Sequence, residues 1–301
     1  MNILNVVLLS IVWSIFLIAA GLLILGVERK ITARLQWRVG PPWWQNFTDI
    51  IKLSAKETSI PERANRFIFI FAPIVSFLGA LAAGVIIIFS LLYGISFRGD
   101  LITVIFLLTL PYSGLILGGS SSGNALASVG SSRALKLTLA CELPFIASLV
   151  LIILKSNLST SIYNIVNMQK NTGINFFSVS GFIAFFVAFW GSIGKLGIVP
   201  FDLAEADTEI AGGALFEYSG ILLGFFKLTK AVLFIVVPLL LIASFFGSFN
   251  VLAWILEYLV IFLLLIIVKN TNPRLRIDQS LRFFWKVIII LIIASFVFMK
   301  I

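Results

Sequence analysis

"FIFIFAPIVSFLGALAAGVIIIFSLLY", residues 67–93, runs for 27 positions without a charged side chain. As a helix at 1.5 Å per residue it reaches about 40 Å, more than the ~30 Å hydrocarbon core of a bilayer. Pro73 and the glycines do not spoil the reading, since membrane helices tolerate both. Comparable runs lie at 3–27, 101–119, 134–154, 176–198, 215–245, 251–268 and 283–299. Of the 301 residues 60% are hydrophobic, more than a water-soluble core accounts for. The fold class is therefore all-α: a polytopic membrane protein with about eight transmembrane helices, read as a single integral membrane domain over 1–301. Charged connections are placed near 28–66, 120–133, 195–214 and 269–282. The first run is longer than a signal-peptide core and no small-residue cleavage pattern follows, so it is expected to stay as a helix.

Basic residues give the orientation. Arg29, Lys30, Arg34, Arg38, Lys52, Lys56, Arg63, Arg66, Arg133, Lys136, Lys195, Lys269, Arg274, Arg276, Arg282 and Lys286 fall on one side. Arg98, Lys155, Lys170 and Lys300 fall on the other, and Lys227 and Lys230 inside a span. Cytoplasmic connections carry the excess of Lys and Arg, which places both termini outside the cell membrane and the charged loops in the cytoplasm. The net charge of +9 is then topology and partner charge. It is not a nucleic-acid signature, because no basic face interleaves with aromatics. The chain has no His and one Cys, Cys141. Cysteine-ligated iron–sulfur clusters need about four thiolates, and no haem, zinc, Walker or dinucleotide pattern is present. No cofactor is expected in this chain; any redox centre belongs to another subunit.

Between the first two spans, "WWQNFTDIIKLSAKE" (43–57) sets Trp43, Phe47, Ile50, Ile51 and Ser54 at helical spacing, with Asp49, Lys52 and Lys56 on another face. Pro41 and Pro42 fit its start and Pro61 lies past its end. This predicts an amphipathic helix on the membrane surface or against a partner. "GGSSSGNALASVGSSRALK" (118–136) reads as a packed small-residue segment or, more blandly, as a linker.

The acids are concentrated. "VPFDLAEADTEIAGGALFEYSG" (199–220) holds Asp202, Glu205, Asp207, Glu209 and Glu217, five of thirteen in the chain. Spacings of three and four put Asp202, Glu205 and Glu209 on one face of a helix, with Asp207 elsewhere, and Gly212 and Gly213 end it. Like charges so placed raise one another's pKa and can handle protons near neutral pH. A solvated acidic face and a metal site are the other readings; a straight helix does not wrap an ion such as Ca²⁺. Glu142, followed by Pro144, is an ionisable group at membrane depth, where such residues mark ion pathways or buried pairs. Lys227 and Lys230, three apart on one face, would be its partners in a structural pair, or could pair with Glu217 instead. Glu257 is either the outer end of a relay or a snorkelling residue.

Five blocks taken in order carry a resemblance: "ERKITARLQWRVGP" (28–41), "QNFTDIIKLSAKE" (45–57), "ASVGSSRALKLTLACELPF" (127–145), "PFDLAEADTEIAGGALFEYSG" (200–220) and "NPRLRIDQSLRFFWK" (272–286). The chain resembles the membrane subunit of respiratory complex I that joins the redox arm to the membrane arm, known as the H subunit or, in mitochondria, subunit 1. It is closest to the counterpart in energy-converting membrane-bound [NiFe] hydrogenases. Two departures point to that branch. Gly40 passes through Pro41, Pro42, Trp43 and Trp44 straight to Gln45, where quinone-reducing members are longer. Before Pro200 stand Lys195, Leu196, Gly197, Ile198 and Val199, where those members carry a polar Glu-Thr-Asn-Arg-Ala.

The resemblance implies a non-catalytic subunit of a multisubunit oxidoreductase. It would link ferredoxin-dependent proton reduction in a peripheral arm to H⁺ or Na⁺ translocation. [NiFe] and Fe-S clusters are expected in partners: hydrogenase-like large and small subunits and a ferredoxin-like Fe-S subunit. Antiporter-like membrane subunits and lipid complete the surroundings. Glu142, Asp202, Glu205, Asp207, Glu209, Glu217, Lys227 and Lys230 would serve the ion pathway. Arg29, Arg34, Arg38, Lys52, Lys56, Arg133, Arg274 and Arg276 would dock the arm. The alternatives are a sulfur- or polysulfide-reducing relative, a quinone-reducing complex I, and a stand-alone ion transporter. Against the last, no inverted repeat of broken helices is evident.

Overall fold

The structure, a computed structural model, describes residues 3–247 and 250–299. The helices are α1 (Ile3–Leu35), α2 (Gln45–Ala55), α3 (Arg66–Leu92), α4 (Asp100–Leu107), α5 (Leu110–Ser121), α6 (Ala125–Lys155), α7 (Ile162–Thr172), α8 (Val179–Leu196), α9 (Asp207–Ile210), α10 (Gly220–Phe245), α11 (Val251–Thr271), α12 (Ile277–Arg282) and α13 (Ile289–Met299). Among the described residues there is no strand. Eight helical segments among the described residues are long and apolar enough to cross a membrane: Leu4–Leu35, Arg66–Leu92, Asp100–Ser121, Ala125–Lys155, Val179–Leu196, Gly220–Phe245, Val251–Thr271 and Ile277–Met299. The protein is a multi-pass membrane protein, and each expected span has its counterpart. Two of these segments are composite. Asp100–Ser121 joins α4 to α5, and Ile277–Met299 joins α12 to α13 through a wider π turn, Phe283–Ile288.

Boundaries differ where tertiary packing overrides hydropathy. The fourth span begins at Ala125 and not near 134, so most of the Ser/Gly/Ala stretch is helix, with Ala127, Ser131 and Ala134 buried. The sixth begins at Gly220, because left-handed residues Ala211, Gly212, Gly213 and Gly220 hold the chain out of a helix before it.

Hydroxyls inside the spans bond to the carbonyl three or four residues back, as a dry interior favours. Ser76 Oγ donates to the Ala72 carbonyl at 2.8 Å, Ser192 to Phe189 at 2.6 Å and Thr229 to Phe225 at 2.7 Å. Helices meet at small residues, which let backbones approach.

The chain forms two compact units, Met1–Ile88 with Phe106–Ala134 and Ala204–Val236, and Phe89–Ile105 with Leu135–Leu203 and Val237–Ile301. In the first, a Cβ on Gly21 would lie 2.5 Å from the Ala231 carbonyl oxygen, and one on Gly26 would lie 2.0 Å from that of Trp43. Phe69 and Tyr218 stack face to face at 4.1 Å within a core that includes Tyr112, Leu115, Leu222 and Phe226. The expected amphipathic helix is α2, but a polar residue faces the chain: Asn46 is buried and donates to the Leu22 carbonyl at 3.0 Å. Ile51, from the predicted apolar stripe, is exposed. In the second unit, Trp190, Phe201, Phe283 and Phe284 form an aromatic cluster, and Gln169 of α7 donates to the Ala243 and Ser244 carbonyls at the end of α10.

Candidate functional site

Two glycines bring an acid and a base together in the second unit. A Cβ on Gly191 would lie 2.9 Å from Phe145 Cβ, and one on Gly194 2.8 Å from Cys141 Cβ. With neither present, α8 lies close along α6. Lys195, next after Gly194, then meets Glu142, next after Cys141: Nζ donates to Oε1 at 2.9 Å. Their side chains are 4% and 19% exposed. The ammonium also sits 5.2 Å from the Phe145 ring centre, within cation–π range. Lys195 is in the last turn of α8, where the helix dipole favours a cation, and Gly197 closes the helix in the left-handed conformation. On its other side Glu142 borders a groove of about 530 Å³ whose remaining lining is apolar, including Leu139, Leu143, Ile146 and Phe296. The expected partners Lys227 and Lys230 are not the ones found. By hydropathy Lys195 falls among the loop charges; a single Lys set in "GSIGKLGIVPF" (191–201) is the signal that could have marked it.

The acidic run is a folded loop and not a helix bearing three acids on one face. Only Asp207–Ile210 is α-helical, with a single 3-10 turn at Gly213–Leu215. Apolar residues of the run, Phe201, Leu203, Ala204, Ala206, Ile210 and Ala214, are buried. The acids with described side chains turn to separate partners. In the second unit, Asp202 accepts from Arg274 at 3.1 Å, and the Pro200 carbonyl accepts the Leu275 N–H at 3.1 Å. In the first unit, Glu205 accepts from Lys230 at 2.8 Å and Glu209 from Arg133 at 2.6 Å. Glu217 accepts from Asn124 at 2.5 Å, a partner that sequence reasoning missed. The Ala204 carbonyl accepts the Ala214 N–H at 3.2 Å, closing the loop. The Asp207 side chain lies outside the described residues. Lys227 is half-buried on α10 and belongs to none of these pairs.

Beyond the run, Tyr218 donates to the Phe69 carbonyl at 3.1 Å, and burial holds its phenol above the ordinary tyrosine range. Ser59 and Ser219 share a hydrogen bond at 2.8 Å, tying the chain after α2 to the start of α10. Of the residues expected at a docking face, Arg34, Arg38, Lys52, Lys56 and Arg276 are exposed. Arg29 lies 3.5 Å from Asp49, while Arg133 and Arg274 are engaged by Glu209 and Asp202.

Chemically, the arrangement is a set of carboxylates of which Glu142, Asp202, Glu205 and Glu209 are each held by a counter-charge and Glu217 by an amide, with Glu142 inside the α6 span. Such pairs can take up or release charge only by exchanging partners or protons.

The family described as NADH dehydrogenase matches residues 6–300. The H subunit of the NADH-quinone oxidoreductase of Bacillus thuringiensis (strain Al Hakam) is 31% identical over 324 aligned positions, covering 94% of this chain and 93% of that protein. Its counterpart in Bacillus anthracis (strain A0248) shows the same identity and coverage. Among solved structures, a chain of the membrane-bound sulfane sulfur reductase, an archaeal respiratory membrane complex, superposes with a TM-score of 0.88 at 27% identity, covering 97% of this chain and 98% of that one.

Proposed function

The chain belongs to the NADH dehydrogenase family, as a homologue of the H subunit of NADH-quinone oxidoreductase, and from that premise we propose that it is the membrane anchor and coupling subunit of a respiratory complex. In this reading a peripheral [NiFe]/Fe-S arm with hydrogenase-like large and small subunits and a ferredoxin-like subunit carries out ferredoxin-dependent proton reduction. Antiporter-like membrane subunits move H⁺ or Na⁺, and this chain transmits between them. It sits in the cell membrane with both termini outside and its charged loops on the cytoplasmic side.

The observation that carries the proposal is the Lys195–Glu142 pair, a titratable couple buried at membrane depth between α8 and α6. Intramembrane ionisable residues are costly, and where they occur they mark ion pathways. The paired acids of the 199–220 run offer the same chemistry in the stretch expected on the cytoplasmic side. Quinone reduction is disfavoured because Leu196 and Ile198, in the segment that is polar in quinone-reducing members, are buried apolar residues. A second reading has a specific support: the solved relative is a sulfane sulfur reductase, which favours a sulfur species as the acceptor at the partner's site.

Gentle-detergent purification through a tag on this chain, followed by metal and activity assays, tests both. Nickel with iron and hydrogen evolution from reduced ferredoxin supports the hydrogenase reading. Iron without nickel, with sulfane reduction, supports the second. Arrival of the chain alone, with ion transport intact, overturns the proposal.

A further inference from the structure

We propose that Trp37 is the anchor with which this chain seats an acidic soluble subunit: the indole enters an apolar pocket on that partner, and Arg34 and Arg38 meet carboxylates around it. The inference rests on the arm-docking reading above and gives it a central residue.

Trp37 occupies a place that the fold gives it no reason to hold. Helix α1 ends in a turn where the Arg38 N–H donates to the Ala33 carbonyl at 2.7 Å and the Trp37 N–H to that of Arg34 at 3.1 Å. In that motif the residue after the cap is left-handed and usually Gly. Trp37 stands there with φ +57°, a conformation uncommon for a bulky side chain. Nor does packing compensate, since Trp37 is 98% exposed, with Leu35 and Val39 exposed beside it. An indole in water on a disfavoured backbone adds nothing to folding. Exposed apolar groups of this kind mark interaction sites, and Trp and Arg are the residues most enriched at the energetic centres of interfaces.

Position decides between lipid and protein. The apolar part of α1 ends at Val27, and the charged Glu28, Arg29 and Lys30 follow. The helix continues to Leu35, which adds about 12 Å; an average tilt of ~20° removes under a tenth of that. The headgroup layer on one side of a bilayer is only about 5–8 Å thick. Trp37 is therefore held beyond the belt in which interfacial tryptophans sit. Charge decides the kind of protein. From Arg29 to Thr48 there is no acidic residue, and Arg34 and Arg38, three residues before Trp37 and one after it, are exposed, as is Lys30 two turns earlier. A partner must be acidic there, and a second copy of a chain carrying +9 is a poor match.

The test uses the intact complex in native membranes. Trp37→Gly removes the side chain while giving the turn the residue it prefers, so the amount of this chain in the membrane should hold. Soluble redox subunits should bind on the order of 30-fold more weakly and leave in salt washes that wild-type membranes withstand. A benzophenone amino acid at position 37 should cross-link to one of those subunits. Retention of the arm by Trp37→Gly through the same washes overturns the anchor, as does cross-linking only to phospholipid or to another copy of this chain. If wild-type membranes hold no soluble redox subunits with this chain, it is the docking reading that fails.

Discussion

Glu142→Gln separates a coupling role from a clamp, provided that its stability cost is removed by a second change. In the wild type, Lys195 Nζ and Glu142 Oε1 are 2.9 Å apart with little exposure on either side. At an effective dielectric of ~20, their attraction is on the order of 5 kcal/mol. Desolvating both ions costs several kcal/mol each, so the pair contributes little net stability, yet removing one partner alone costs about 3–5 kcal/mol. Gln keeps an oxygen that can accept from Nζ, and a hydrogen bond to a charged group recovers about 1.5–3 kcal/mol. A net loss of about 2 kcal/mol is expected, a lowering of the unfolding temperature by a few degrees. Adding Lys195→Met should return that stability. An unbranched apolar chain fills the same space beside Phe145, and the change removes the buried ammonium that Glu142→Gln leaves without a counter-charge, the larger part of the penalty.

Ion movement should not return with it, because the double variant still lacks the titratable carboxyl. The assay is redox-driven ion uptake in membrane vesicles, alongside thermal unfolding of the purified complex, for the wild type, both single variants and the double. Electron transfer to an artificial acceptor serves as the control and should survive in all four. If ion uptake recovers together with unfolding temperature in the double variant, the pair is a structural clamp and the coupling argument is wrong. If Glu142→Gln changes neither quantity, the pair matters to neither.

Glu205→Gln and Glu209→Gln, whose carboxylates contact different cations, should each cost under about 1 kcal/mol and combine additively within ~0.5 kcal/mol; a double variant in thermal unfolding worse than the sum by more than ~1 kcal/mol would mean that the two acids act on each other. Tyr218→Phe should lose about 1 kcal/mol for the hydrogen bond to Phe69. Because burial raises the Tyr218 phenol above its ordinary value of 10.0, its contribution is full below pH ~10 and lost as pH rises beyond, so the variant should show a shallower alkaline fall in stability. Gly26→Ala places a methyl 2.0 Å from the Trp43 carbonyl oxygen; α2 should lift from α1, and trypsin should cut at Lys52 or Lys56 faster than in the wild type.

The spans were legible because apolar length is a local property, readable without knowing any neighbour. The break at Gly212 and Gly213 was legible for the same reason. The acidic run misled because its three-and-four spacing imitates a helix face, while the positions that pack are Phe201, Leu203, Ala204, Ala206 and Ile210. Its partners are remote: Lys230 is 25 residues from Glu205, Asp202 is 72 from Arg274, and Arg133 is 76 from Glu209. Lys195 reads as a loop residue because hydropathy weighs a lysine only as a charge; what buries it is the pair of glycines, one and four residues earlier, that let α8 reach Glu142. The pairing changes what the run can do. Unpaired acids crowded on one face would hold protons by mutual repulsion. Asp202, Glu205 and Glu209 instead each face a cation of their own, and a proton placed on one of these carboxylates would weaken its hold on that Lys or Arg. In the proposed coupling role, charge uptake at Glu205 therefore loosens Lys230 on α10, and at Glu142 it loosens Lys195 on α8. Protonation and side-chain release are then one event at each pair.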